Sequence, residues 1–182
     1  IFTIFSTYSL ADKMTKSGFL DTKVSYSKVQ KIENPENKIL LIYNHGQVTH
    51  DGPSNDCAWK GGMKNMSSLI GNKVKDKEIV VYLFCTGKLK GDDYKRLWNK
   101  KKFKAPYKGK PKLEKRLEEN LKLIENFVSQ GFKKNQVFIT GRSCGGWMTM
   151  MLLARHSNIV AGRISFVPEC YGRLTKNYKV KK

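Results

Sequence analysis

Apolar residues gather along the chain in short continuous runs separated by long polar stretches. Lys38–Asn44 (KILLIYN), Glu78–Cys85 (EIVVYLFC) and Gln136–Thr140 (QVFIT) carry apolar residues at successive positions. Such runs suit strands buried on both faces of a parallel sheet. Residues 161–168 (AGRISFVP) predict a fourth strand. A different period governs residues 113–130, where Leu113, Leu117, Leu121, Ile124 and Val128 fall on one stripe and predict an amphipathic helix. Gly131 is its expected C-terminal cap. Residues 144–157 (CGGWMTMMLLARHS) predict a second, mostly buried helix, and 61–73 a short one. Residues 18–33 alternate loosely, as one or two short strands would, and Asn34-Pro35-Glu36-Asn37 predicts a turn. Strands alternating with helices predict an α/β fold, a mainly parallel sheet flanked by helices on both faces.

Chemistry is concentrated where the third strand meets the second long helix. Gly141-Arg142-Ser143-Cys144-Gly145 reads G-x-S-x-G, and its position between strand and helix makes it diagnostic. A nucleophile on a sharp, strained turn needs neighbours without side chains, which Gly141 and Gly145 supply, and Gly146 adds room. The following helix directs its N-terminal N–H groups at the reacting oxygen. The first buried strand also ends in a turn of special composition, Asn44-His45-Gly46-Gln47.

From Lys38 to about Gly172, this succession of strand–His-Gly, strand, helix, strand–GRSCGG–helix and strand resembles the α/β-hydrolase superfamily. It is most similar to the esterase and dienelactone-hydrolase-like branches, and the prolyl-oligopeptidase branch carries a similar elbow. The resemblance implies Ser143 as catalytic nucleophile and an oxyanion hole formed by the backbone N–H groups of Cys144 and Gln47, with His45 and Gly46 as the turn that presents the latter. It also implies a triad in the order Ser, acid, His. After Ser143 the sequence holds one histidine, His156, inside the nucleophile helix and too early in that order. Glu169, after the fourth strand, is the one well-placed carboxylate and a weak candidate for the acid. The fold is therefore expected to be C-terminally incomplete in this sequence, with the base lying beyond Lys182. His50 and Asp51, in the loop after the His-Gly turn, read as loop residues. Trp147 and Trp59 can line an acyl pocket or belong to the core.

Composition adds three points. The formal net charge is +20, from 35 Lys and Arg against 15 Asp and Glu. Only six of the basic residues are arginine, whereas sites that read phosphate or bases lean on arginine forks. A compositional Lys bias is therefore the better account, and no specific nucleic-acid partner is expected. Residues 88–112 interleave lysines with Tyr94, Trp98, Phe103 and Tyr107, a pattern that occurs in single-strand binders but equally in a solvated loop pinned by its aromatics.

The apolar start, Ile1–Ala11, ends in Ser9-Leu10-Ala11 before Asp12-Lys13 and reads as the remnant of a signal peptide. Residues 12–182 are then a single domain, secreted or periplasmic. Cys57, Cys85, Cys144 and Cys170 contain no CxxC pair, so neither zinc nor another metal is expected. Disulfides fit an exported protein, with Cys57–Cys85 the first expectation and Cys144–Cys170 the alternative. No apolar run is long enough to span a bilayer, and no cofactor is implied. The reading is a serine hydrolase acting on an ester or polyester through an acyl-enzyme. The alternatives are a prolyl-oligopeptidase-like peptidase and a noncatalytic basic binding module on the same fold.

Overall fold

The computed structural model describes residues 13–14, 16–29, 31–46, 58–85 and 112–168. In chain order the strands are β1 (Lys13–Met14), β2 (Gly18–Phe19), β3 (Lys38–Asn44), β4 (Ala58–Trp59), β5 (Lys73–Val74), β6 (Lys77–Phe84), β7 (Val137–Arg142) and β8 (Gly162–Phe166). The helices are α1 (Lys60–Ser67), α2 (Lys112–Ser129) and α3 (Cys144–Arg155). The main sheet has the order β2-β6-β3-β7-β8, with β5 pairing with β6. Its centre is parallel: β3 lies between β6 and β7, and β7 pairs with β8. β2 and β5 run antiparallel to β6. A separate antiparallel pair joins β1 to β4.

Alternate residues of each central strand feed two cores. Leu40, Ile42, Val137 and Ile139 pack with Leu117, Ile124 and Phe127 of α2 and with Met148 and Leu152 of α3. Leu41, Tyr43, Val81 and Leu83 pack with Met63 and Met66 of α1. Helices therefore cover both faces, and the continuous apolar runs are explained, since neither side of these strands meets water. Phe127 anchors the first core through edge-to-face contacts with Phe19, Tyr82 and Phe132, at centroid distances of 5.7, 5.0 and 5.8 Å.

Several expected boundaries shift for identifiable reasons. The third strand begins at Val137, not Gln136, because residues 134–136 form a 3₁₀ turn, and it continues through the motif to Arg142. α1 stops at Ser67, and the rest of the stretch expected to be helical turns back so that β5 can pair with β6. Residues 18–33 contribute only β2 and a bridge between Leu20 and Tyr26. The fourth strand ends at Phe166, not 168. α2 ends as expected, with Gly131 at φ +106°, and a Cβ there would lie 2.8 Å from Pro35 Cγ.

The lower end of the sheet hangs on one side chain. Gln136 is buried, and its Nε2 donates to the carbonyls of Pro35, Glu36 and Lys38 at 3.2, 2.7 and 2.7 Å. Its Oε1 accepts from Lys133 N–H at 3.2 Å. Gln136→Leu keeps the bulk and removes the donor, leaving carbonyls at the β3 entrance without it. The expected loss is about 1–3 kcal/mol, read as a lowered Tm in thermal unfolding; a Tm equal to that of the wild type would refute this role.

Candidate active site

β7 delivers its chain to the carboxyl edge of the sheet and reverses at Ser143 into α3. Ser143 has φ +53° and ψ −124°, a region that a non-glycine residue enters at a cost. The turn is held from both sides. Ser143 N–H donates to Phe166 O of β8 at 3.0 Å, and Ser143 O accepts from Trp147 N–H at 2.9 Å. Ser143 stands at the N-cap position of α3, so its side chain sits where the first N–H groups of the helix emerge. Cys144 is the first of these residues.

The glycines act by close approach. A Cβ on Gly145 would lie 2.2 Å from Asn44 O and 2.5 Å from His45 O. One on Gly141 would lie 2.5 Å from the Gly145 carbonyl carbon. The first turn of α3 thus passes directly beneath the end of β3, and only a bare Cα fits in the gap.

That crossing brings the His-Gly turn to the serine. The Cβ position of Gly46 lies 3.4 Å from Ser143 Cβ and 4.0 Å from Ser143 Oγ. His45 is 2% exposed, and its Nδ1 donates to Gly46 O at 2.7 Å. On the other flank of the elbow, Thr149 Oγ1 donates to Gly146 O at 2.7 Å and lies 2.8 Å from Ser165 Oγ, which ties α3 to β8. Arg142 is exposed beside the buried Tyr43, whose hydroxyl is pushed up in pKa by burial, with the Arg142 cation opposing the shift.

The structure thus brings together Ser143, Cys144, Gly141, Gly145, His45 and Gly46. Gln47, His50, Asp51 and Glu169 lie outside the described residues, as does most of the 88–112 stretch. Trp147 is half-buried, and the side chain of Trp59 is also outside the described set. His156 follows the far end of α3, a helix of 12 residues, about 18 Å along the axis from Ser143. Cys144 and Cys85 are each disulfide-bonded, and no cysteine among the described residues is free. Their possible partners Cys57 and Cys170 lie outside the described residues.

Two site residues escaped the sequence reading. Arg116 and Asn120 of α2 are 1% and 0% exposed, and they reach the end of β3. Arg116 Nη2 donates to His45 O at 2.7 Å, and Asn120 Nδ2 donates to Asn44 Oδ1 at 3.0 Å. The signal was present but indirect: position 120 follows 113 and 117 on the helical stripe, and 116 precedes 117 by one residue.

No protein-family model matches the chain, and no curated protein matches it. Among solved structures it is similar to a phospholipase/carboxylesterase from Dyadobacter fermentans, at 16% identity and a TM-score of 0.46, over 92% of this chain and 67% of that one. It is similar to oligopeptidase B from Trypanosoma brucei at 15% identity and a TM-score of 0.45, over 84% of this chain and 20% of that one. It is also similar to brefeldin A esterase, a bacterial homologue of human hormone-sensitive lipase, at 14% identity and a TM-score of 0.42, over 91% and 44%. The chain spans less than half the length of the latter two. The sheet order, the antiparallel outer strand and the strained turn between β7 and α3 make up an α/β fold, a mainly parallel sheet with helices on both faces.

Two glycine variants test this packing. Gly145→Ala drives a methyl group into backbone and should lower stability by about 1–3 kcal/mol or more. Gly46→Ala meets only contacts of 3.4 Å and longer, so its Tm should stay near wild type. Equal Tm values for the two variants would contradict the packing described.

Proposed function

We propose that the chain is the nucleophile-bearing part of a secreted or periplasmic serine hydrolase that cleaves carboxylic esters. One observation carries this reading: Ser143 is held at positive φ at a helix N-terminus, with Gly46 of a second loop against its hydroxyl. Strain of this kind persists where the surroundings impose it, and here the surroundings are two converging backbone turns.

In the proposed reaction Ser143 Oγ attacks the ester carbonyl carbon while its proton passes to a base. The oxygen of the tetrahedral adduct turns toward the N-terminus of α3 and the Gly46 turn, where the N–H groups of Cys144 and Gln47 are the proposed donors. The C–O bond to the alcohol then breaks, and the base returns its proton to the departing oxygen. Water, activated by the same base, releases the acid and restores the serine. The base is a histidine and its partner a carboxylate, both from outside the described residues; Glu169 remains a candidate for the acid. Cys144 does not compete as a nucleophile, because its sulfur is in a disulfide. Disulfide bonding at Cys85 and Cys144 also supports an oxidising compartment. Among the described residues no helix is long and apolar enough to cross a membrane.

In protein that includes the base, a fluorophosphonate probe should label Ser143, and Ser143→Ala should abolish the label. On a short p-nitrophenyl ester the alanine variant of that protein should lose about a thousandfold or more in kcat/KM. Faster turnover of proline-containing peptides than of esters would transfer the reading to a peptidase. Absence of any label would leave a binding module on this fold.

A further inference from the structure

An arginine is an unfavourable residue to seal inside a core. Arg116 is 1% exposed, and burial lowers its pKa to about 10, so it is still a cation at neutral pH. Its Nε finds no hydrogen-bond partner among the described residues. Packing alone does not explain a charge in this place, since an apolar side chain of similar volume would fill it without the desolvation cost.

The contacts of Arg116 and its neighbour one turn on converge on two residues. Arg116 Nη2 donates to His45 O at 2.7 Å. Asn120 Nδ2 donates to Asn44 Oδ1 at 3.0 Å and to Arg116 O at 2.8 Å. Asn44 Nδ2 in turn donates to Thr140 O of β7 at 3.4 Å. Asn44 and His45 are the residues whose carbonyl oxygens roof Gly145, within 2.2 and 2.5 Å of where its Cβ would be. The next residue, Gly46, lies against Ser143. The His45 carbonyl is therefore gripped by a guanidinium while it packs over the first turn of the nucleophile helix. Its peptide unit also carries the N–H of Gly46.

We propose that Arg116 is a positioning residue for the acyl-transfer site: it clamps the His45 peptide and so fixes the Gly46 turn against Ser143. Asn120 supports the clamp by orienting Asn44. The inference rests on the reading of Ser143 as nucleophile. A carbonyl only accepts hydrogen bonds, so a strong fixed donor is what this position needs. A hydrogen bond from a cation is stronger than a neutral one, so it holds the His45 peptide plane, and with it the turn that leads on to the proposed donor Gln47, in one orientation. Loss of that fixed geometry appears in kcat, because the charge it serves forms only as the adduct forms.

The test compares Arg116→Met, Arg116→Lys and Arg116→Gln in the full chain, with Tm, fluorophosphonate labelling rate, and kcat and KM on a short p-nitrophenyl ester. Arg116→Met removes a buried charge and also the donor to the His45 carbonyl, two effects of opposite sign on Tm, so Tm serves as the control for folding, while kcat and the labelling rate should fall at least tenfold and KM stay within twofold. Arg116→Lys should restore most of the lost rate, and Arg116→Gln should not. If the Met variant does not fold, the Lys and Gln variants decide: a clearly higher kcat for Lys supports the clamp, and equal values overturn it. A Met variant that folds with kcat within twofold of wild type overturns it as well. Wild-type protein that takes no label, or Ser143→Ala protein that keeps full activity, overturns instead the nucleophile reading on which the clamp depends.

Discussion

Everything at the carboxyl edge of this sheet follows from one backbone crossing. The first turn of α3 runs so close under the end of β3 that the Asn44 and His45 carbonyls would lie 2.2 and 2.5 Å from any Cβ at Gly145. The crossing fixes where the helix starts, and so where Ser143 must reverse direction. It also brings β3's exit turn to the serine, since Gly46 follows directly from the two roofing residues. The two halves of the site come from segments almost one hundred residues apart, and no side-chain contact between them would be as unyielding as backbone against backbone.

Around that crossing the molecule adds hydrogen bonds with carbonyls as acceptors. Phe166 O holds the Ser143 amide, Gly146 O holds Thr149, and His45 O holds Arg116. At the other end of β3, Gln136 does the same for the chain entering the strand. Strand ends are where backbone carbonyls run out of ladder partners, and a buried one must find a donor elsewhere. Side chains that look misplaced by polarity are these donors.

This explains what the sequence discloses and what it hides. β3, β6 and β7 were legible as continuous apolar runs because both of their faces are buried, α2 because its one buried face imposes a period, and α3 because it is apolar along most of its length. Ser143 was legible because its glycines mark a conformation few other residues tolerate. Gly46 was legible as the second half of that pattern. Arg116 and Asn120 were hidden: within a helix of many charged residues, a charge or an amide beside the apolar stripe reads as its solvent edge, and only the fold shows what lies above it. The shift of β7 to Val137 had a similar cause, since Gln136 looks like a strand residue until its three carbonyl partners appear. Which cysteines join Cys85 and Cys144 was not legible, because spacing fixes no connectivity.

The dihedral angles of Ser143 set local preference against usefulness. At φ +53° a glycine would sit without steric cost. Laboratory evolution that rewards heat tolerance alone has a ready substitution at this position, Ser143→Gly, and it removes the hydroxyl proposed to react. A library of this protein screened without a catalytic readout would therefore drift toward well-folded descendants that have lost that hydroxyl, and the elbow would be among the first places to change.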